Sequence, residues 1–152
     1  MKQAYLSMVL TIERLHRRFL DVIKFELDHL GIEDINNVQT LILYNISDEN
    51  LTIGELTLRG YYLGSNVSYN IKKLVENGFL IQERSVHDKR SVKVKLSEKG
   101  LQLCEKIDAL YHENIQQLAE AGFGEEDIDN TLKGLQKIEK FWSDLVDSRR
   151  KY

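Results

Sequence analysis

Residues 55–100 read ELTLRGYYLGSNVSYNIKKLVENGFLIQERSVHDKRSVKVKLSEKG. Taken with Thr52, Ile53 and Gly54 just before it, ELTLRG has the length of a helix of about two turns. YYLGS reads as a connection. In SNVSYNIKKLVENG, residues Val67, Ile71, Leu74 and Val75 share one helical face, and Asn77-Gly78 marks the stop. Phe79, Leu80 and Ile81 then open a strand, and VHDKRS forms a loop. In SVKVKLS, Val92, Val94 and Leu96 alternate with Lys93 and Lys95, the period-two pattern of a half-buried strand. Short helix, turn, helix and antiparallel hairpin, in that order, predict a winged helix-turn-helix.

Outside this stretch the pattern is helical. In residues 3–30, Met8, Ile12, Leu15, Phe19, Val22 and Ile23 recur at steps of three and four, and Gly31 ends the run. DINNVQTLILYNI opens on cap residues and carries Val38, Leu41, Ile42 and Ile46 as its apolar face; SDEN is a turn. After Ser97-Glu98-Lys99-Gly100, a long helix with Leu103, Ile107, Leu110 and Leu118 runs to about residue 121, where Gly122 and Gly124 interrupt it. The last helix begins among the acids of GEEDIDN and ends in the basic SRRKY, the polarity a helix dipole favours. Its seam is Ile128, Leu132, Leu135, Ile138, Trp142 and Leu145. The expected fold is mainly α with a small β-hairpin, in one domain.

Composition narrows the function. The chain has 152 residues, 42% hydrophobic and 30% charged, enough for one domain with a core. Proline is absent, which suits a helical chain. One cysteine, Cys104, excludes an intrachain disulfide; it falls at an apolar-periodic position and reads as a small core residue. No stretch approaches the ~18 apolar residues of a membrane span, and no signal peptide pattern stands at the start, so the cytoplasm is the expected compartment. His16, His29, His87 and His112 are scattered without metal-ligand spacing. Nucleophile motif, P-loop and dinucleotide fingerprint are lacking. The expectation is no enzyme, no cofactor and no metal. Charge is lopsided: residues 84–99 carry +4 in a chain whose total is −3, leaving −7 for the rest. Such a local positive run points to an anionic partner.

The element order resembles the multiple-antibiotic-resistance regulator (MarR) family of dimeric bacterial transcription factors. Leu74 and Gly78 at the end of the recognition helix, Arg84 in the following strand, Asp88-Lys89-Arg90 in the wing and Leu96-Ser97-Glu98-Lys99-Gly100 at the next helix carry it. Detailed agreement covers residues 55–100, and the flanking long helices agree in order and length. Tyr61 stands where the family often has a corner glycine, and Ser97 replaces a threonine. The resemblance implies a winged helix-turn-helix over about 34–100, flanked by dimerisation helices over about 1–30 and 101–148. It implies a sequence-specific, ligand-responsive homodimeric repressor on a palindromic operator in double-stranded DNA. The other readings are a winged-helix adaptor that binds protein and a metal-responsive regulator.

The residues suit DNA on physical grounds too. The major groove accepts an α-helix and displays donors and acceptors on base edges. Ser65 reads as a helix cap; Asn66, Ser68, Tyr69 and Asn70 have the polarity to meet bases, and Lys72 and Lys73 to meet phosphates. An ordinary solvated helix face is the plain alternative. In the wing, Lys89 and Arg90 suit the phosphate backbone and the minor groove, Asp88 would orient Arg90 as in the family, and Lys93 and Lys95 add nonspecific attraction. The resemblance further implies a crevice for a small aromatic or anionic effector, for which His16, Phe19, Thr40 and Tyr44 are the candidates.

Overall fold

Helix α1 spans Lys2–His29, and its chain reverses through Gly31, whose φ of +67° is the left-handed conformation glycine adopts without strain. A computed structural model describes residues 1–60, 64–88 and 91–150, with Ser65 in its backbone alone. The chain forms two units, Met1–Asp108 and Ala109–Tyr152.

In the first unit, α2 spans Asn37–Ile46. Asn36 starts it with a capping box: Gln39 N donates to Asn36 Oδ1 (2.8 Å) and Asn36 N donates to Gln39 Oε1 (3.1 Å). The buried face is Gln39, Thr40, Ile42, Leu43 and Ile46. Val38, which periodicity placed in the core, is 38% exposed, and Leu43 fills the face instead. Strand β1 (Leu51–Thr52) leads straight into α3 (Ile53–Gly60). Thr52 and Glu55 cap α3 reciprocally, through Glu55 N to Thr52 Oγ1 (3.1 Å) and Thr52 N to Glu55 Oε2 (2.7 Å). Helix α4 (Gly64–Glu76) follows, and Gly78 at φ +80° turns the chain into β2 (Leu80–Arg84). Strand β3 (Val92–Leu96) returns antiparallel, pairing Leu80 with Leu96 and Arg84 with Val92.

The sequence predicted a two-stranded hairpin; the sheet has three strands in the order β1-β3-β2. Leu51 pairs with Val94 and Thr52 with Lys93. Two residues are too few for a period-two pattern to show, which is why this edge strand was read as part of the turn and helix. Leu51, Leu56, Val67, Ile71, Leu74, Phe79, Leu80, Val94 and Leu96 are all buried, and they form the apolar interior beneath α3, α4 and the sheet.

Helix α5 spans Glu98–Glu120. Its start explains the Leu-Ser-Glu-Lys-Gly step. Ser97 Oγ accepts from Gly100 N (3.1 Å), capping the helix. Gly100 lies against Phe79 so closely that a Cβ would collide with the Phe79 carbonyl oxygen. Lys99 pairs with Asp34, donates to Asn77 O (2.8 Å) and sits 4.2 Å over the Phe79 ring. In the second unit, α6 spans Glu125–Arg150 after Gly122 at φ +85°, and none of its residues is buried. Among the described residues, no helix is long and apolar enough to cross a membrane.

Candidate nucleic-acid interface

The inward face of α4 is fixed by Val67, Ile71 and Leu74, each at most 1% exposed. Helical geometry then turns Asn66, Ser68, Tyr69 and Lys72 outward, and all four are exposed. Tyr69 presents its ring at 61% exposure. Asn70, expected among the base-contacting residues, is half-buried instead, and its Oδ1 accepts from Gln39 Nε2 (3.2 Å). Ser65 was read as the cap, but α4 begins at Gly64, so Ser65 lies within the first turn; its side chain is outside the described residues. Lys72 and Lys73 flank Glu76 at 4.0 and 3.3 Å. Those pairs are exposed and therefore weak. At the far end, Asn77 Nδ2 donates to Asp34 O (2.8 Å), which ties the helix end to the α1–α2 loop.

The wing is pinched at its base by Ser85 N to Ser91 O (3.2 Å). Ser85 Oγ accepts from the backbone N–H of His87 and of Asp88, each at 3.3 Å, and Ser91 N donates to Asp88 O (3.0 Å). Val86 at the tip is 90% exposed. Lys89 and Arg90, and with them the expected Asp88–Arg90 pairing, lie outside the described residues. Two cations of the basic run 84–99 are paired within the protein. Lys99 is engaged at the start of α5, and Lys95 is held by Glu83 on the opposite strand. That lysine keeps the Glu83 carboxyl below its ordinary pKa, and Asn50 Nδ2 donates to it as well. Arg84 and Lys93 remain exposed. The SDEN turn is anchored by Arg59, whose two guanidinium nitrogens donate to Glu49 at 3.0 and 2.9 Å, lowering the pKa of Glu49.

A family model described as the MarR family matches residues 33–91. The exopolysaccharide II synthesis transcriptional activator ExpG of Rhizobium meliloti (strain 1021) is 34% identical over 142 residues, covering 93% of this chain and 73% of the relative. The chain belongs to the MarR family. As a member, it is a DNA-binding transcriptional regulator and not an enzyme. Streptococcus pneumoniae FabT, solved in complex with DNA, shares the fold at TM-score 0.73 and 21% identity, over 93% of this chain and 99% of that one. So does Staphylococcus aureus MarR, solved with salicylate and kanamycin, at TM-score 0.72 and 24% identity, over 94% and 93%.

Of the four effector candidates in this MarR-family chain, Tyr44 lines a described cleft. His16 and Phe19 are exposed on α1. Thr40 is 1% exposed, and its hydroxyl donates to Asn36 O (2.8 Å), so it offers a ligand no open face. Tyr44 is half-buried, donates to Asp108 and lines a cleft of about 490 Å³ with Leu96, Leu101, Cys104 and Glu105. None of the other three candidates lines that cleft. Burial, then the Asp108 charge, push the Cys104 thiol up to about 11. No group of three or more His, Cys, Asp or Glu among the described residues is placed to hold a metal. Sequence reasoning missed Gln39, Glu76 and Glu83. For Gln39 the signal was available: Asn36-x-x-Gln39 has the spacing of a capping box.

Proposed function

We propose that the protein is a homodimeric, ligand-responsive regulator that reads a palindromic operator with α4 and the wing, and represses by occupying a promoter. The outward polar stripe of α4 over a closed apolar interior carries this reading. Asn66, Ser68 and Tyr69 would meet base edges; Lys72, Lys73, Lys93 and the wing residues Lys89 and Arg90 would meet the backbone. Dimerisation draws support from the apolar residues left exposed on the long helices, among them Leu6, Leu10 and Leu15 on α1 and Leu132, Leu135 and Leu145 on α6. A two-fold dimer would set its recognition helices roughly 34–36 Å apart, one DNA turn.

A mobility-shift titration on the DNA upstream of its own gene, at two salt concentrations, tests the proposal. Saturable binding that weakens with salt and is reduced by Arg90→Ala supports it. Equal binding to a scrambled duplex overturns it, as does an Arg90→Ala protein that binds unchanged. The sign of regulation has a second reading, because the 34% identical relative is named an activator. A reporter fused to the bound promoter, with and without the gene, separates the two by the direction of change.

The effector half of the proposal centres on the Tyr44 cleft. Asp48, Glu105 and Asp108 line it together with apolar and thiol groups. Three carboxylates disfavour an anionic ligand, so the cleft suits a neutral or cation-bearing aromatic compound better than an aromatic acid. Tyr44→Ala should alter the response to an active compound and leave effector-free DNA binding intact.

A further inference from the structure

Gln39 and Thr40 are the buried polar side chains among the described residues, at 8% and 1% exposure. Thr40 bonds within its own helix. Gln39 does not stop there. Its carbonyl oxygen accepts from Asn36 N (3.1 Å), and its amide nitrogen crosses 31 residues of sequence to donate to Asn70 Oδ1 on α4 (3.2 Å). Two residues earlier on α2, Asn37 Nδ2 donates to Leu20 O of α1 (3.1 Å). Three helices are therefore joined through one turn of α2.

A methionine would fill the Gln39 site but would leave Asn36 N and Asn70 Oδ1 without these bonds. A buried amide whose nitrogen and oxygen each have a partner adds little net stability, about 0.5–1.5 kcal/mol per bond, but it is directional. Apolar contacts such as those of Val67, Ile71 and Leu74 tolerate some rolling of a helix; a hydrogen bond is lost when its donor and acceptor separate or misalign. Asn70 follows Tyr69 by one residue, about 100° around the helix. Fixing the roll of α4 at Asn70 therefore fixes the roll at which Asn66, Ser68 and Tyr69 are presented.

We infer that Gln39 is a positioning residue for the recognition helix: it holds Asn70 inward, and Asn70 serves DNA reading through that bond and not by touching a base. This rests on α4 being the helix that meets the bases, as proposed above.

The test uses the full chain and compares affinity for a promoter fragment with affinity for a scrambled duplex at one salt concentration. Gln39→Met and Asn70→Ala should each lower the preference by about tenfold, ~1.4 kcal/mol, with no change in salt slope. The double variant should be no worse than either single one, as for two ends of one interaction. Additive losses, or a loss with Asn70→Ala alone, would show that Asn70 reads a base and overturn the inference. Should Gln39→Met fail to fold, Asn70→Asp against Asn70→Ala decides. Aspartate keeps the acceptor Gln39 needs, and its added charge is read separately on the scrambled duplex. Preference kept by Asp and lost by Ala supports the inference; preference lost by both or by neither overturns it. Tyr69→Ala separates the two layers. If it keeps full preference, the reading of α4 fails and this inference with it. If it loses preference while Gln39→Met and Asn70→Ala keep theirs, only this inference fails.

Discussion

Among the described residues between Leu51 and Leu96, nine large apolar side chains are buried, and across α6 none is. Both regions carry apolar residues at regular helical or strand spacing, so sequence pattern alone treats them alike. In the winged helix the pattern is closed by the chain's own α2, α3, α4 and sheet. In α6 the seam of Ile128, Leu132, Leu135 and Leu145 stays 39–49% exposed. The lesson is that an apolar stripe states a need for a partner surface without saying which chain supplies it. The winged helix is complete within one chain, and under the proposal α6 is completed by a second copy.

Substitutions should separate the two regions, and the largest effects belong to the closed one. Phe79→Ala should cost about 3–5 kcal/mol in chemical denaturation, because it opens a cavity at a fully buried ring and removes the surface under Lys99. Gly100→Ala should also destabilise strongly, since its Cβ meets backbone that cannot swing away. Loss of DNA binding should follow loss of fold in both.

Next in size is the open region. Leu132→Glu with Leu135→Glu should leave far-UV circular dichroism of the winged helix intact while halving the mass in sedimentation. DNA affinity should fall about a hundredfold or more, because two half-sites would no longer be held together. A protein that stays dimeric with both glutamates would place the interface elsewhere.

Smaller effects concern the paired charges of the wing. Glu83→Gln should release Lys95 and steepen the salt dependence of DNA binding by about 0.9 in the log–log slope. The carboxyls of Glu49 and Glu83 sit below their ordinary pKa of 4.5, held down by Arg59 and Lys95. Groups with a depressed folded-state pKa stabilise above the unfolded value, and that contribution is lost as pH falls through the folded one. Thermal melts should therefore be flat above about pH 5 and decline slightly below pH 4.5, less so in Glu83→Gln. Smallest of all, Cys104 with a thiol pKa near 11 should react slowly with iodoacetamide at pH 8 and leave DNA binding unaffected by mild oxidant.

The sequence made the helices, the hairpin and the positive wing readable, because apolar spacing and glycine stops are local signals. It missed β1, whose two residues are too short for periodicity. It placed Val38 in the core and overlooked Leu43, since two apolar faces of α2 differ by a single residue of phase. It could not show that Asn70, expected at DNA, is half-buried against Gln39, or that Thr40, expected at a ligand, is buried in α2, because residue type reports polarity and says nothing of which way a side chain turns. Lys95 and Lys99 were counted with the positive surface for the same reason: their partners Glu83 and Asp34 lie on other elements. Contacts that join distant parts of the chain, such as Gln39 to Asn70, become visible only once the helices are packed.

Counting chains on the DNA by sedimentation of the promoter complex, at two salt concentrations, puts the proposal to proof in one experiment. Two chains per duplex, with affinity falling steeply as salt rises, is the expected result. One chain per duplex, or no complex even in dilute buffer, would contradict it.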